Sequence, residues 1–334
     1  MYDVVSIGEP VIDFNPVQGE GKLQYVAMPA GGAANVLSAA IKMGACTAMI
    51  GWLGADIFGD YIKDCMNRLG IDVRCMRQGS EKNTGIGFVQ LSPEGERSFL
   101  FYRPRGMLPM YVPETDNEVL RQTRIFHYTS VSLCKGQIEG TLAAARYAKA
   151  QGALLSFDVN YRKAFWNSEE EAKETIYRCI RDADILKMSE DELQFLYPDD
   201  TKETCADKLL ADGCALIAIT MGARGCYCRT RNTESTCSGY QVEAVDTTGC
   251  GDSFAGTMLG QLSQMGKPIE ELSAEEMRAI LCKATAAANL CASRSGSMDV
   301  MATEEEIMRL VRTGEQVSWK RQLSGAQAEK EEDF

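Results

Sequence analysis

Asp246-Thr247-Thr248-Gly249-Cys250-Gly251-Asp252-Ser253-Phe254-Ala255-Gly256 is the run that governs how the rest of this 334-residue chain is read. Ahead of it, Tyr240 to Val245 reads as a strand. Behind it, Ser253 to Gln264 reads as a helix with small and apolar residues on one side. Two glycines at such a junction leave backbone amides bare where a helix begins. Those N–H groups have no intrahelical partner and the helix dipole is positive there, so the place suits an anion. Asp252 is the odd feature, a carboxylate beside the anion those amides would hold. A base next to a phosphoryl pocket is what transfer of phosphate to a hydroxyl needs. An Asp at a helix start serves equally well as a cap, and on this run alone the two readings stand level.

Composition narrows the classes. At 45% hydrophobic and 25% charged residues the chain is ordinary globular material, long enough for one large core or two domains. A net charge of −12 argues against nucleic acid or an anionic membrane as a partner. No apolar run approaches a membrane span, and residues 1–10 lack the basic start and apolar core of a signal peptide. Thirteen cysteines are scattered without a C-x-x-C, and with a single His a zinc site has little to stand on. They read as reduced thiols used as small apolar residues in a cytoplasmic protein.

From the amino terminus, Tyr2 to Ile7 is a continuous apolar run like a buried parallel strand. Asp13 follows as a turn residue or as an acceptor for ligand hydroxyls at the strand's carboxyl end. Residues 17–28 read as polar, with a turn at Gly19 and Gly21. Gly31-Gly32 then leads into a helix from about Ala33 to Met43, with Asn35 one turn in. Thr84 to Leu91 and Arg97 to Arg103 form a hairpin that interrupts an alternating strand–helix order. Such an insertion can act as a lid that expels water. His127 sits in a strand beside aromatic residues and reads as structural.

Leu154 to Asp158 is a further buried strand, and Asp158-Val159-Asn160-Tyr161-Arg162 lies at its end. Arg162 is either a surface residue or a partner for phosphate or carboxylate oxygens. Ser189 and Glu192 have the spacing of a capping box. Thr220, Gly222 and Gly225 mark a tight turn after the strand Ala215 to Thr220. Met277 to about Arg294 reads as a long small-residue helix, and residues 315–334 as a charged tail without an apolar face, expected to be flexible. The P-loop pattern is absent, and the central run lacks the third glycine of a dinucleotide fingerprint.

The Asp-Thr-Thr-Gly-x-Gly-Asp of residues 246–252 resembles the carboxy-terminal signature of the PfkB (ribokinase-like) sugar kinases. Pro29-Ala30-Gly31-Gly32-Ala33-Ala34-Asn35-Val36 resembles the amino-terminal signature, and the similarity runs from Tyr2 to about Leu310. The resemblance implies a ribokinase-like three-layer α/β/α fold with a mainly parallel central sheet and a small β-sheet lid. The core would be 1–13, 31–83 and 113–314, and the lid 14–30 and 84–112. It implies an ATP-dependent sugar kinase with Asp252 as base and the amides of Gly249, Cys250 and Gly251 as the phosphoryl cradle.

Sugar contacts would come from Asp13, Gly31, Gly32, Asn35, Arg103 and Arg162, and nucleotide contacts from Lys187, Ser189, Thr220, Gly222, Gly225 and Asn289. Glu192 would hold Mg²⁺ through water, Asp246 and Thr248 mark a loop where K⁺ stays open, and a homodimer would form through the lid. Lys187-x-Ser189 and the hairpin are most similar to fructokinases. Where those continue Ala-Asp, however, this chain reads Pro104-Arg105-Gly106-Met107. 2-Keto-3-deoxygluconate is the rival substrate, served by Arg162 with Arg103 or Arg105. A non-catalytic sugar sensor of the same fold is the rival function.

Overall fold

The computed structural model describes residues 1–17, 23–91, 97–102, 109–133 and 136–314. Arg103 and Arg105, expected near the sugar, lie outside the described residues, as do the turn at Gly19 and Gly21 and the tail from 315.

The first strand, β1 (Tyr2–Ile7), is an interior strand of the larger sheet. After it come β2 (Val11–Val17), β3 (Gln24–Ala30), α1 (Gly32–Lys42), β4 (Thr47–Gly54), α2 (Ile57–Leu69), β5 (Asp72–Gly79), β6 (Ile86–Leu91) and β7 (Arg97–Tyr102). The chain continues through α3 (Pro113–Leu120), β8 (Thr123–Thr129), α4 (Ile138–Ala150), β9 (Leu154–Asp158), α5 (Glu169–Asp182), β10 (Ile185–Ser189), α6 (Glu190–Leu196) and α7 (Lys202–Ala211). It ends with β11 (Leu216–Thr220), β12 (Cys226–Thr230), β13 (Glu234–Cys237), α8 (Cys250–Leu262), α9 (Ala274–Ala292) and α10 (Glu304–Thr313).

Nine strands form one sheet in the order β13-β12-β11-β10-β9-β8-β1-β4-β5, parallel except for the β12 and β13 edge. Successive side chains on a strand point to opposite faces, and both faces here are apolar. Val4, Ile125, Ile185 and Leu216 pack under α1, α2, α8 and α9. Their neighbours Val5, Phe126, Leu186 and Ile217 pack under α3 to α7. This is the three-layer sandwich expected for continuous apolar strands. Ile307 and Leu310 of α10 close the far end against Leu290.

The second sheet has four strands in the order β3-β2-β6-β7. Residues 17–28, read as a polar turn, supply the end of β2 and most of β3, and Asp13 lies within β2 opposite Met28 and Gly87. Its Phe14 stacks on Phe88 at 5.0 Å and meets Phe58 of α2 edge-on at 5.7 Å. That contact seats the small sheet on the core.

Tyr240 to Val245 is not a strand. Its backbone donors go to α9 instead: Tyr240 N–H to Asn289 Oδ1 at 2.9 Å, and Val245 and Asp246 N–H to Ala292 O at 2.7 and 2.9 Å. The last carbonyls of a helix need outside donors, and this segment serves one of them, Ala292 O, so the alternating apolar pattern lies along a helix.

Candidate active site

Two helices begin side by side. Gly256 of α8 lies so close to α1 that a Cβ there would stand 2.1 Å from Val36 O, and Gly260 meets Ala40 one turn on. The contacts advance in step along both helices, so α1 and α8 run parallel and their positive ends converge. Gly31 is the N-cap of α1 and Gly249, left-handed at φ 77°, is the N-cap of α8.

Between these ends sits Asp252, buried at 8% exposure. Asn35 Nδ2 donates to its Oδ2 at 2.8 Å, and Asn160 Nδ2 approaches its Oδ1 at 3.4 Å. Gly32 lies against the same group, with Asn160 Nδ2 3.0 Å from where a Cβ would be. Burial raises the Asp252 carboxyl above its ordinary range, while the Asn35 hydrogen bond and the charges of Lys187 and Arg162 pull it down. The buried Asn35 Oδ1 has no partner within the protein. A buried acceptor left open is costly, and a ligand hydroxyl would satisfy it.

Of the amides expected to cradle an anion, that of Cys250 donates back to Thr247 O at 3.3 Å and closes the loop. Gly251 and Asp252 follow in the first helical turn, where amides have no intrahelical acceptor. Lys187 Nζ stands 2.9 Å from where a Gly251 Cβ would be, so an ammonium reaches the same helix start. It is buried and 3.1 Å from both oxygens of Asp158. Burial works against the Lys187 charge, but Asp158, Glu192 and Asp252 outweigh it and hold its pKa up. Burial also pushes the Asp158 carboxyl up against the pull of Lys187.

Topology makes this meeting possible. Asp158, Ser189 and Thr220 are each the last residue of a parallel strand, so β9, β10 and β11 deliver them to one edge. Ligands of open α/β sheets bind at that edge. Ser189 and Glu192 form the capping box of α6. Both Glu192 oxygens accept backbone donors, from Tyr161 at 2.8 Å and Ser189 at 2.7 Å. Among the described residues no group of three or more His, Cys, Asp or Glu is arranged to hold a metal ion. Arg162 is exposed and donates to Tyr161 O, yet its charge reaches Asp252. Asp13 faces the interior from β2, and Gly87 leaves room for its Oδ1.

The remaining expected residues lie in the β11–β12 turn, on α9 and in the loop before α8. Thr220, Gly222 and Gly225 form the turn between β11 and β12. A Cβ on Gly225 would stand 2.0 Å from Cys237 O, so this glycine is fixed by packing against β13. Asn289 holds the Tyr240 backbone. Asp246 is buried and accepts from Thr248 N–H at 2.7 Å and Gly296 N–H at 3.4 Å, which binds the loop into a closed unit. His127 is buried against Ser156 Oγ at 3.0 Å, and burial pushes its pKa down to about 3. A neutral, enclosed imidazole fits the structural reading.

Asp158 and Asn160 stood in the sequence as part of the Asp-x-Asn-x-Arg run with Arg162, without a site role of their own. Asn160 takes φ +35°, a left-handed conformation that Asn tolerates better than most residues, and this turns its amide toward Asp252. The available signal was Asp-x-Asn at the carboxyl end of a buried strand.

The chain matches the pfkB family carbohydrate kinase pattern over residues 1–304. It is 33% identical over 317 residues to a protein named probable fructokinase-5 from Arabidopsis thaliana, covering 93% of this chain and 97% of that one. Among solved structures, fructokinase with bound ATP from Xylella fastidiosa superimposes with a TM-score of 0.85 at 27% identity, over 93% of this chain and 99% of the other. Fructokinase from Vibrio cholerae O395, in its fructose, ADP and calcium ion bound form, gives 0.79 at 26% identity over 92% and 98%.

Proposed function

The chain belongs to the pfkB family of carbohydrate kinases, phosphotransferases that act on a sugar hydroxyl, and from that premise we propose that it phosphorylates fructose at a primary hydroxyl with ATP. The observation that carries the reading is the Asn35–Asp252 hydrogen bond at 2.8 Å across the joined starts of α1 and α8. It sets a buried carboxylate beside a helix start and a buried ammonium.

In this reading the sugar hydroxyl gives its proton to Asp252 as its oxygen bonds to the γ-phosphorus and the bond to the ADP oxygen breaks. The Gly251 and Asp252 amides and Lys187 meet the charge on the transferring group. Asn35 Oδ1 and Asp13 accept from sugar hydroxyls, with Gly31 and Gly32 leaving room for the ring. The turn at Gly222 and the Asn289 side of α9 border the nucleotide. A divalent cation, Mg²⁺, arrives with the ATP phosphates and meets the protein through water at Glu192, since no described cluster would hold it alone. K⁺ belongs to the same proposal, seated on the Asp246–Thr248 loop, where it would stiffen the approach to α8.

The exposed side of the small sheet supports a homodimer. Leu100 at 45% and Tyr102 at 57% exposure extend the Phe14–Phe88 cluster outward. Every described cysteine is a free thiol, which supports a cytoplasmic setting.

ADP release should be followed with ATP and Mg²⁺ over fructose, 2-keto-3-deoxygluconate, ribose and adenosine. Turnover on fructose well above the others is the expected result. Preference for the keto-acid would transfer specificity to Arg162, whose charge already reaches the site. Binding without turnover on every sugar would sink the kinase reading.

A further inference from the structure

Most cysteines of this chain are single thiols inside apolar packing. Cys75, Cys179 and Cys205 are buried, and that burial pushes each up to about 12, which keeps them protonated and inert. Cys237 and Cys282 differ. Cys237 ends β13, the edge strand of the large sheet, and Cys282 lies in α9 packed against it. Their sulfurs are 3.1 Å apart, with the Cys237 S–H donating to Cys282. A disulfide bond is about 2.0 Å long, so closure needs roughly 1 Å of movement. Cys237 is buried whereas Cys282 is partly exposed, so one sulfur is open to reagents and the other is enclosed beside it. The Cys237 and Tyr240 donors and the Arg278 charge hold the Cys282 thiol below its usual range.

We propose that Cys237 and Cys282 are a reversible disulfide site whose closure ties the sheet edge to α9 and weakens nucleotide binding. The first clause rests on the sulfur geometry alone, and the second also rests on the nucleotide side proposed above. Tyr240, three residues past Cys237, is held by Asn289, two turns along α9 from Cys282. Gly225, in the turn after β11, packs directly on Cys237 O, and Gly239 packs on Ala223 O. Pulling the two sulfurs together therefore moves the backbone under that turn and the helix bearing Asn289.

The chemistry is a two-electron oxidation by hydrogen peroxide. The Cys282 thiolate attacks one peroxide oxygen, the O–O bond breaks, and the departing hydroxide takes a proton to leave as water. Cys237 sulfur then attacks the Cys282 sulfenic sulfur, forming S–S and breaking S–O. The hydroxide leaves with the Cys237 proton as a second water, so two thiols and one peroxide give one disulfide and two waters.

The full-length protein should be treated with hydrogen peroxide, alkylated, digested and mapped by mass spectrometry, with dithiothreitol reversal as control. A peptide cross-linked through Cys237 and Cys282 is the expected product. Cys237→Ser should leave the Cys282 sulfenic acid open to capture by dimedone. Oxidised wild type should show a KM for ATP raised about fivefold or more, whereas peroxide-treated Cys282→Ser should keep its untreated value. Full alkylation of both thiols after peroxide, or a bridge mapped to Cys250 and Cys291, which also interact, in place of Cys237–Cys282, overturns the site. A Cys237–Cys282 bridge with unchanged kinetics overturns the coupling. Absence of turnover in the untreated enzyme would count against the kinase reading and leave the mapping result intact.

Discussion

The side of the site proposed for the acceptor and the side proposed for the nucleotide are built on different physics. On the acceptor side, side chains from α1, the end of β9, β10 and α8 interlock: Asn35 and Asn160 on Asp252, Lys187 on Asp158. All are buried; Lys187, Asp158 and Asp252 act on one another's charge states, and Asn35 acts on that of Asp252. On the proposed nucleotide side the contacts fix backbone, with the Asn289 side chain accepting from Tyr240 N–H and Gly225 packed against Cys237 O. The first arrangement is suited to chemistry, which needs tuned charge. The second is suited to a fixed surface for a flat, neutral base. Substitutions on the first side should therefore cost turnover, and those on the second should cost affinity.

Asp252→Asn keeps the shape and removes the proposed base, so kcat should fall about a thousandfold while calorimetry still detects sugar binding. Near-normal turnover would abolish the distinction between the two sides. Lys187→Met leaves Asp158 buried without its partner and should lower stability by about 3–5 kcal/mol in denaturant melts. Adding Asp158→Leu should restore most of that stability without restoring activity, which separates the fold from the chemistry.

Asn35→Leu removes the donor that lowers the Asp252 pKa, which burial already raises. The base must be unprotonated, so activity falls as pH drops through its pKa. A higher pKa therefore moves the acid limb of kcat/KM to higher pH, and an unmoved limb would remove Asn35 from the network. Asn289→Ala loses one hydrogen bond, worth about 1 kcal/mol. The KM for ATP should rise less than about tenfold with kcat unchanged, and a fall in kcat would mean that the two sides are not separable.

Much of this was legible in the sequence. The continuous apolar strands gave the buried parallel sheet, since two covered faces require it. The glycines and Asp252 at the start of α8 were legible as a candidate anion site, which the proposed function takes up. Tyr240 to Val245 misled because alternation shows only that one side is covered, and here the cover is α9. Asn160 went without a role because its reach to Asp252 combines a positive φ with a contact 92 residues away in sequence, which the Asp-x-Asn run does not fix.

By itself the sequence determined the buried parallel strands, the place of the hairpin insertion and the residue types at each strand end, because periodicity and glycine placement are local properties; the three layers were implied by the family resemblance. The pairing of Asn35 with Asp252, of Lys187 with Asp158, and of Cys237 with Cys282 came only with the folded chain. Each joins residues far apart in sequence. Their meeting depends on strand order and on how closely α1 can approach α8, and those distances are set by packing.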